Sequence, residues 1–249
     1  MEKFDLLTLG EVLLRLSPKE NKRIVRSTEF ESHVGGAELN VASGVSLLGL
    51  HTGIISKLPA NAIGELARSK VRSMNVSDDY LVWDHTEDAR LGSYFYESAT
   101  FPRKPQVVYD RKHSSITRIS IDEFPEEMYT ATRCFHVSGI TLALCPEART
   151  CAVEMIKRFK QAGAMISFDV NFRLNLWTGA EAKECIEGIL PYVDIFFCSE
   201  DTARLTFKKT GTAREMMKSF TEEYPISIVA STQRIVHSPK SHTFGSIIY

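Results

Sequence analysis

The chain has 249 residues, 43% hydrophobic and 24% charged, enough to bury the core of one α/β domain with at most a small appendage. A formal net charge of −1 argues against a nucleic-acid groove or an anionic membrane surface as partner. No apolar run approaches the roughly 20 residues that span a bilayer, and the acidic N-terminus does not suit a signal peptide, so a cytoplasmic location is expected.

In chain order, Leu6–Leu9 reads as a first strand, followed by a segment, Glu11–Val34, too long for a simple strand-to-helix turn. Gly35-Gly36-Ala37-Glu38-Leu39-Asn40-Val41-Ala42 then opens a helix predicted over Ala37–Leu48. Adjacent glycines remove bulk where backbone must approach a ligand, and free N–H groups at a helix start offer donors to a hydroxyl or an anion. Asn40, about one turn inside, presents both an amide donor and an acceptor. The stretch suits a small-molecule cradle or a turn needed only for tight strand–helix packing, and these residues alone leave both open. It is neither a Walker A loop nor a G-x-G-x-x-G fingerprint.

Next come a strand at Thr52–Ser56 and a helix at Gly64–Met74. Asp79–Ser120 is rich in β-formers, at Tyr80–Trp83, Ser93–Tyr96 and Val107–Tyr109. With Glu11–Val34 it reads as a small β-sheet inserted from two places; an extra sheet-edge hairpin is the alternative. The second half predicts strands Cys134–Ser138, Met165–Val170, Ile195–Cys198 and Ile226–Ala230 and helices Pro146–Ala162, Ala180–Leu190 and Thr212–Tyr224. Pro146 suits a first helical turn and Gly163 a helix end. Alternating helices and doubly apolar strands predict a parallel, doubly wound sheet. Phe244–Tyr249 closes the chain as an apolar, β-prone run, predicted to leave backbone groups unpaired and apolar side chains exposed. On that ground the chain is expected to be the N-terminal portion of a longer protein or a truncated product.

The five cysteines form no C-x-x-C pair and sit among apolar neighbours, so buried free thiols are expected. His136, between Phe135 and Val137, reads as a satisfied interior residue, and no metal ligands are assigned.

Several segments in order carry a resemblance: Asp5–Glu11, Gly35-Gly36-Ala37, Leu48-Gly49 with Thr52–Lys57 and Ile63-Gly64-Glu65, Val107–Arg111, and Asp169-Val170-Asn171-Phe172-Arg173. Along its whole length the chain resembles the PfkB (ribokinase-like) family of carbohydrate kinases, most closely the 2-keto-3-deoxygluconate kinases. The resemblance implies an α/β, ribokinase-like, doubly wound and mostly parallel sheet with helices on both faces and a small β-sheet lid. The whole chain, residues 1–249, would be one C-terminally incomplete domain, its lid drawn from about 11–34 and 79–120.

The implied activity is ATP-dependent phosphorylation of a small-molecule sugar acid, 2-keto-3-deoxygluconate, at its terminal hydroxyl, with ATP and Mg²⁺ as cofactors. A homo-oligomer through the lid is also implied. Gly35, Gly36, Asn40 and Asn171 would contact the sugar, and Tyr94 and Tyr109 would cover it from the lid. Arg111 and Arg173 would grip its carboxylate in bidentate fashion. Arg111 also fits a solvated loop, and Tyr94 an aromatic packing face; Arg173 follows a strand end, where open α/β sheets bind ligands.

On the nucleotide side, the family's Asn-x-x-Glu motif falls on Ser199 and Thr202, where Glu200 or Asp201 could substitute by a shift of register, and Ser231, Thr232 and Arg234 match the nucleotide-proximal segment. The family's Gly-Ala-Gly-Asp segment, with its general base, has no counterpart in these 249 residues, so little phosphoryl transfer is expected of them. Alternatives are a kinase for a neutral sugar or nucleoside, or a non-catalytic sugar-binding module. A nicotinamide oxidoreductase is disfavoured by the missing glycine fingerprint.

Overall fold

The computed structural model describes residues 3–99, 102–238 and 241–249. Strands β1 (Phe4–Leu9), β2 (Leu13–Pro18) and β3 (Phe30–Gly35) lead into helix α1 (Ala37–Leu47). Then come β4 (Thr52–Pro59), α2 (Ala62–Ser73), β5 (Ser77–Asp84), β6 (Ser93–Glu97) and β7 (Gln106–Asp110). The chain continues through β8 (Thr132–Ser138), α3 (Gly139–Ala143), α4 (Pro146–Gln161), β9 (Met165–Asp169), α5 (Gly179–Glu187) and β10 (Ile195–Phe197). It closes with α6 (Glu200–Leu205), α7 (Ala213–Glu223), β11 (Ile228–Ser238) and β12 (Ser241–Ile248).

The large sheet runs β12-β11-β10-β9-β8-β1-β4-β5, parallel except where β12 turns back on β11. Both its faces are covered because neighbouring strand residues enter opposite layers. In β4, Ile54 joins Leu39, Ala42, Ala67 and Val71 of α1 and α2, while Ile55 joins the larger core with Met155, Ile156 and Phe159 of α4. Helix ends follow local chemistry: Asn61 Oδ1 accepts from the N–H groups of Ile63 and Gly64, and Thr178 and Thr212 form capping boxes with Glu181 and Glu215. Gly163 ends the turn after α4 at φ +93°.

The small sheet runs β3-β2-β6-β7. Tyr80–Trp83, expected in this sheet, belongs instead to β5 and pairs in parallel with β4 at the edge of the large one. An aromatic, β-branched run marks a strand but carries no information about which sheet it joins. Here α2 and the turn at Asn75 (φ 56°) make a βαβ crossover that returns the chain to the large sheet. The helix expected over Ala180–Leu190 stops at Glu187, before a 3₁₀ turn holding Pro191, which lacks an N–H to continue it. The terminal run, expected to lie unpaired, is bonded along β12 to β11, although Phe244 and Ile248 remain exposed.

Strand order reverses between β1 and β8, so the crevice beyond their carboxyl ends is a topological switch point. The small sheet is anchored there at two places: β2 starts shortly after β1 ends, and β3 ends immediately before α1.

Candidate functional site

A cavity of ≈ 210 Å³ opens at this switch point. Its wall takes Glu11 from the end of β1, Gly36, Glu38 and Asn40 from the start of α1, Ile140 from α3, and Arg173, Asn175 and Leu176 after β9. The small sheet supplies Leu13, Tyr94, Tyr109 and Arg111. Tyr94 and Tyr109 are register partners on β6 and β7 with ring centroids 5.5 Å apart, one aromatic surface over the opening. Gly36 meets a need for space: a Cβ there would overlap the carbonyl oxygen of Glu11. Gly35 lies just outside the lining, paired with Leu13 of β2 and beside the Asn40 amide.

The arrangement brings Gly36, Asn40, Tyr94, Tyr109, Arg111 and Arg173 around one space. The two arginines differ in their engagements. Arg111 is largely buried and already paired: its Nε donates to Glu11 Oε2 at 2.8 Å, its Nη2 donates to the same oxygen, and its guanidinium lies 5.7 Å from the Tyr109 ring centre. Arg173 is exposed, with a long 3.5 Å contact to the Phe172 carbonyl.

Two buried carboxylates in this wall were not singled out from the sequence. Glu11 is 4% exposed, and Ser114 Oγ donates to its Oε1 at 2.6 Å. Burial pushes its carboxyl above the ordinary value, against the pull of Arg111 and Ser114. Glu38 is 1% exposed; its Oε1 accepts from Ser138 Oγ at 2.5 Å, Thr141 Oγ1 at 2.9 Å and the Ser138 N–H at 3.2 Å. Burial likewise raises its carboxyl, and these three donors pull it back. An acid in the first turn of a helix reads as a solvated charge, so Glu38 gave no signal. Gly10 and Gly92 were the available clue, since a Cβ at either would overlap the carboxylate of Glu38 or Glu11 respectively.

Arg173 also lines an adjoining groove of ≈ 310 Å³ with Asp169, Asn171, Ser199, Thr202 and Thr232. Asn171 therefore faces this groove, not the cavity. It holds φ 38°, and its N–H donates to Asp169 Oδ1 at 3.0 Å. Burial raises the Asp169 carboxyl, with that N–H and Arg173 opposing. Ser199 caps α6 by accepting from the Thr202 N–H.

The other residues expected on the nucleotide side lie away from the groove. Glu200 pairs with Arg204 one helical turn on, at 2.9 Å. Arg234 sits along the β11–β12 hairpin, its guanidinium over Phe244 and against His242. Ser231 is buried within β11, lining a separate small cavity. Among the described residues no group of three or more His, Cys, Asp or Glu side chains could hold a metal ion, so no protein cage for Mg²⁺ is built here. His136 is buried with Nδ1 2.9 Å from Ser167 Oγ, and the five cysteines are free thiols.

A surface trough of ≈ 980 Å³ lies against α4, where Arg118 and Arg158 are already paired with Asp84 and Glu154. Among the described residues no helix is long and apolar enough to cross a membrane.

Residues 3–233 match the profile of the pfkB family carbohydrate kinases. Among curated proteins, a 2-dehydro-3-deoxygalactonokinase of Haloferax volcanii is 32% identical over 229 residues, 92% of this chain and 71% of the relative. Among solved structures, a 2-dehydro-3-deoxygluconokinase of Thermotoga maritima is 31% identical with a TM-score of 0.92, covering 100% of this chain and 77% of that one. A PfkB family carbohydrate kinase of Listeria grayi is 35% identical with a TM-score of 0.91, covering 98% and 76%.

Proposed function

Since this chain belongs to the pfkB family of carbohydrate kinases, we propose that its substrate is a 2-keto-3-deoxy sugar acid, foremost 2-keto-3-deoxygluconate, phosphorylated at its terminal hydroxyl. The observation that carries this reading is the convergence of Arg111 and Arg173 on one cavity with Gly36, Asn40, Tyr94 and Tyr109. A guanidinium offers paired N–H donors that match a carboxylate, and a neutral sugar makes little use of two of them. The 2-dehydro-3-deoxy-aldonate kinases among the similar proteins support the same substrate class. Gly36 and Asn40 would meet sugar hydroxyls while the two tyrosines exclude water from above.

The phosphate donor in this reading is ATP, held in the adjoining groove by Asn171, Ser199, Thr202 and Thr232. Arg173, common to both spaces, would lie between sugar and triphosphate. The donor set includes no cluster of metal-ligating side chains, and no step is assigned to Mg²⁺. Both carboxylates in the cavity wall are engaged, Glu11 by Arg111 and Ser114 and Glu38 by Ser138 and Thr141. Neither is free to take the proton of an attacking hydroxyl. We therefore expect these 249 residues alone to transfer phosphate slowly, by a factor on the order of 10²–10⁴ for a missing general base.

Binding tests the reading without turnover. Titration with 2-keto-3-deoxygluconate is expected to raise the melting temperature in proportion to ligand occupancy, with fructose giving little shift. Arg173→Ala is the informative variant, because this side chain is exposed and its hydrogen bond to the Phe172 carbonyl is long. It is expected to weaken the acid about tenfold, the scale of one charge-assisted hydrogen bond, and fructose hardly at all. Equal affinity for acid and neutral sugar in the unaltered protein would overturn the reading.

A further inference from the structure

We propose that Glu11 is a positioning residue for anion recognition, holding Arg111 by one edge of its guanidinium so that the other edge meets the substrate carboxylate. The inference rests on the sugar-acid reading above and goes beyond it by assigning the geometry of the carboxylate clamp. Arg111 reaches Glu11 Oε2 through Nε and Nη2, the side-on edge. Both Nη1 hydrogens and the second Nη2 hydrogen are left over, and Nη1 and Nη2 together make the end-on fork that a second carboxylate can grip.

Three further features show that this pairing is built. Ser114 Oγ donates to the other oxygen, Oε1, at 2.6 Å, so the Glu11 carboxylate cannot rotate out of the guanidinium plane without losing a bond. Gly92 leaves the room that Glu11 Oε1 occupies; a Cβ there would overlap it. The Tyr109 ring, 5.7 Å from the Arg111 Cζ, supports the guanidinium from a third direction. A flexible arginine is thereby fixed before substrate arrives, and the entropy of ordering it is removed from the binding step.

Glu11 cancels the charge of Arg111 across a buried pair, and the Glu38 carboxylate shares the wall, held by Ser138 and Thr141. Arg173 is the exposed cation of the lining, and it also acts on Asp169 of the adjoining groove. Specificity for the anion then resides in Arg173, and orientation of its carboxylate in the Glu11–Arg111 unit.

The test is calorimetric titration of the full 249-residue chain, as Glu11→Gln, Arg111→Ala and the double variant, with 2-keto-3-deoxygluconate and with fructose. Glu11→Gln is expected to weaken the acid at least about tenfold and fructose less than about threefold, and the double variant to be no weaker than Arg111→Ala alone. Should Glu11→Gln fail to fold, Ser114→Ala, which frees only Oε1, is expected to weaken the acid about two- to fivefold with fructose unmoved. Unchanged or tighter acid binding in Glu11→Gln, or in Ser114→Ala where that is the variant measured, overturns the positioning role and leaves the sugar-acid reading standing. Equal weakening of acid and fructose overturns it in favour of a purely structural role. An unaltered chain that binds no sugar acid removes the sugar-acid reading and this assignment with it.

Discussion

His136 shows how one buried side chain ties stability to pH. It lies between β1 and β9 with Ser167 as partner, and burial lowers its pKa from 6.5 to about 4. Between those values the unfolded chain binds a proton that the folded chain refuses, so stability rises with pH through the window. The contribution, about 3 kcal/mol, is complete above pH 6.5 and lost as pH falls towards 4. Glu11 and Glu38, raised by burial, act with the opposite sign above the ordinary carboxylate range. The expected outcome is therefore a difference: His136→Asn should flatten the slope of unfolding free energy against pH between 4 and 6.5, measured by urea titration. At this scale the residues with unusual chemistry in an exposed motif were legible: Gly36, Asn40, Arg111 and Arg173 all line one cavity. Glu11 and Glu38 were not, because a buried acid has the same letter as a solvated one and its partners lie about 100 residues away.

Elements were legible to the extent that their ends carried local signals. The long helices fell within a residue or two of expectation because caps such as Thr212 with Glu215, and stops such as Gly163, act within a few residues. Sheet membership was not legible, since the register of β5 against β4 is a long-range choice. Nor was the β11–β12 hairpin, which carries Arg234 out along an antiparallel arm and away from the groove where a parallel strand end would have left it. The cap of α2 gives an element-scale prediction. Asn61→Ala removes the acceptor for the N–H groups of Ile63 and Gly64 and should cost about 1 kcal/mol. A thermal melt should fall by roughly 2–4 °C, the scale for a chain of this size, while sugar binding remains.

At the scale of the molecule, alternation of helix and strand implied a doubly wound sheet, and the observed order β5-β4-β1-β8-β9-β10-β11 puts its reversal beneath the small sheet. The cavity lies where that topology leaves a crevice, so its place follows from the path of the chain, and the side chains decide only what enters. That path also sets when the cavity can exist. Glu11 bonds to Ser114 and Glu38 to Ser138, closing loops of 103 and 100 residues, and β1, the first strand, lies inside the sheet between β8 and β4. Contacts so distant in sequence are slow to form during refolding. In a stopped-flow refolding experiment, sugar-acid affinity should consequently emerge with the slowest kinetic phase, after most secondary structure has returned; recovery of binding in an early phase would contradict this. A nascent chain leaving the ribosome would share that delay, holding β1 without its neighbour β8 until the chain had been synthesised past Ser138.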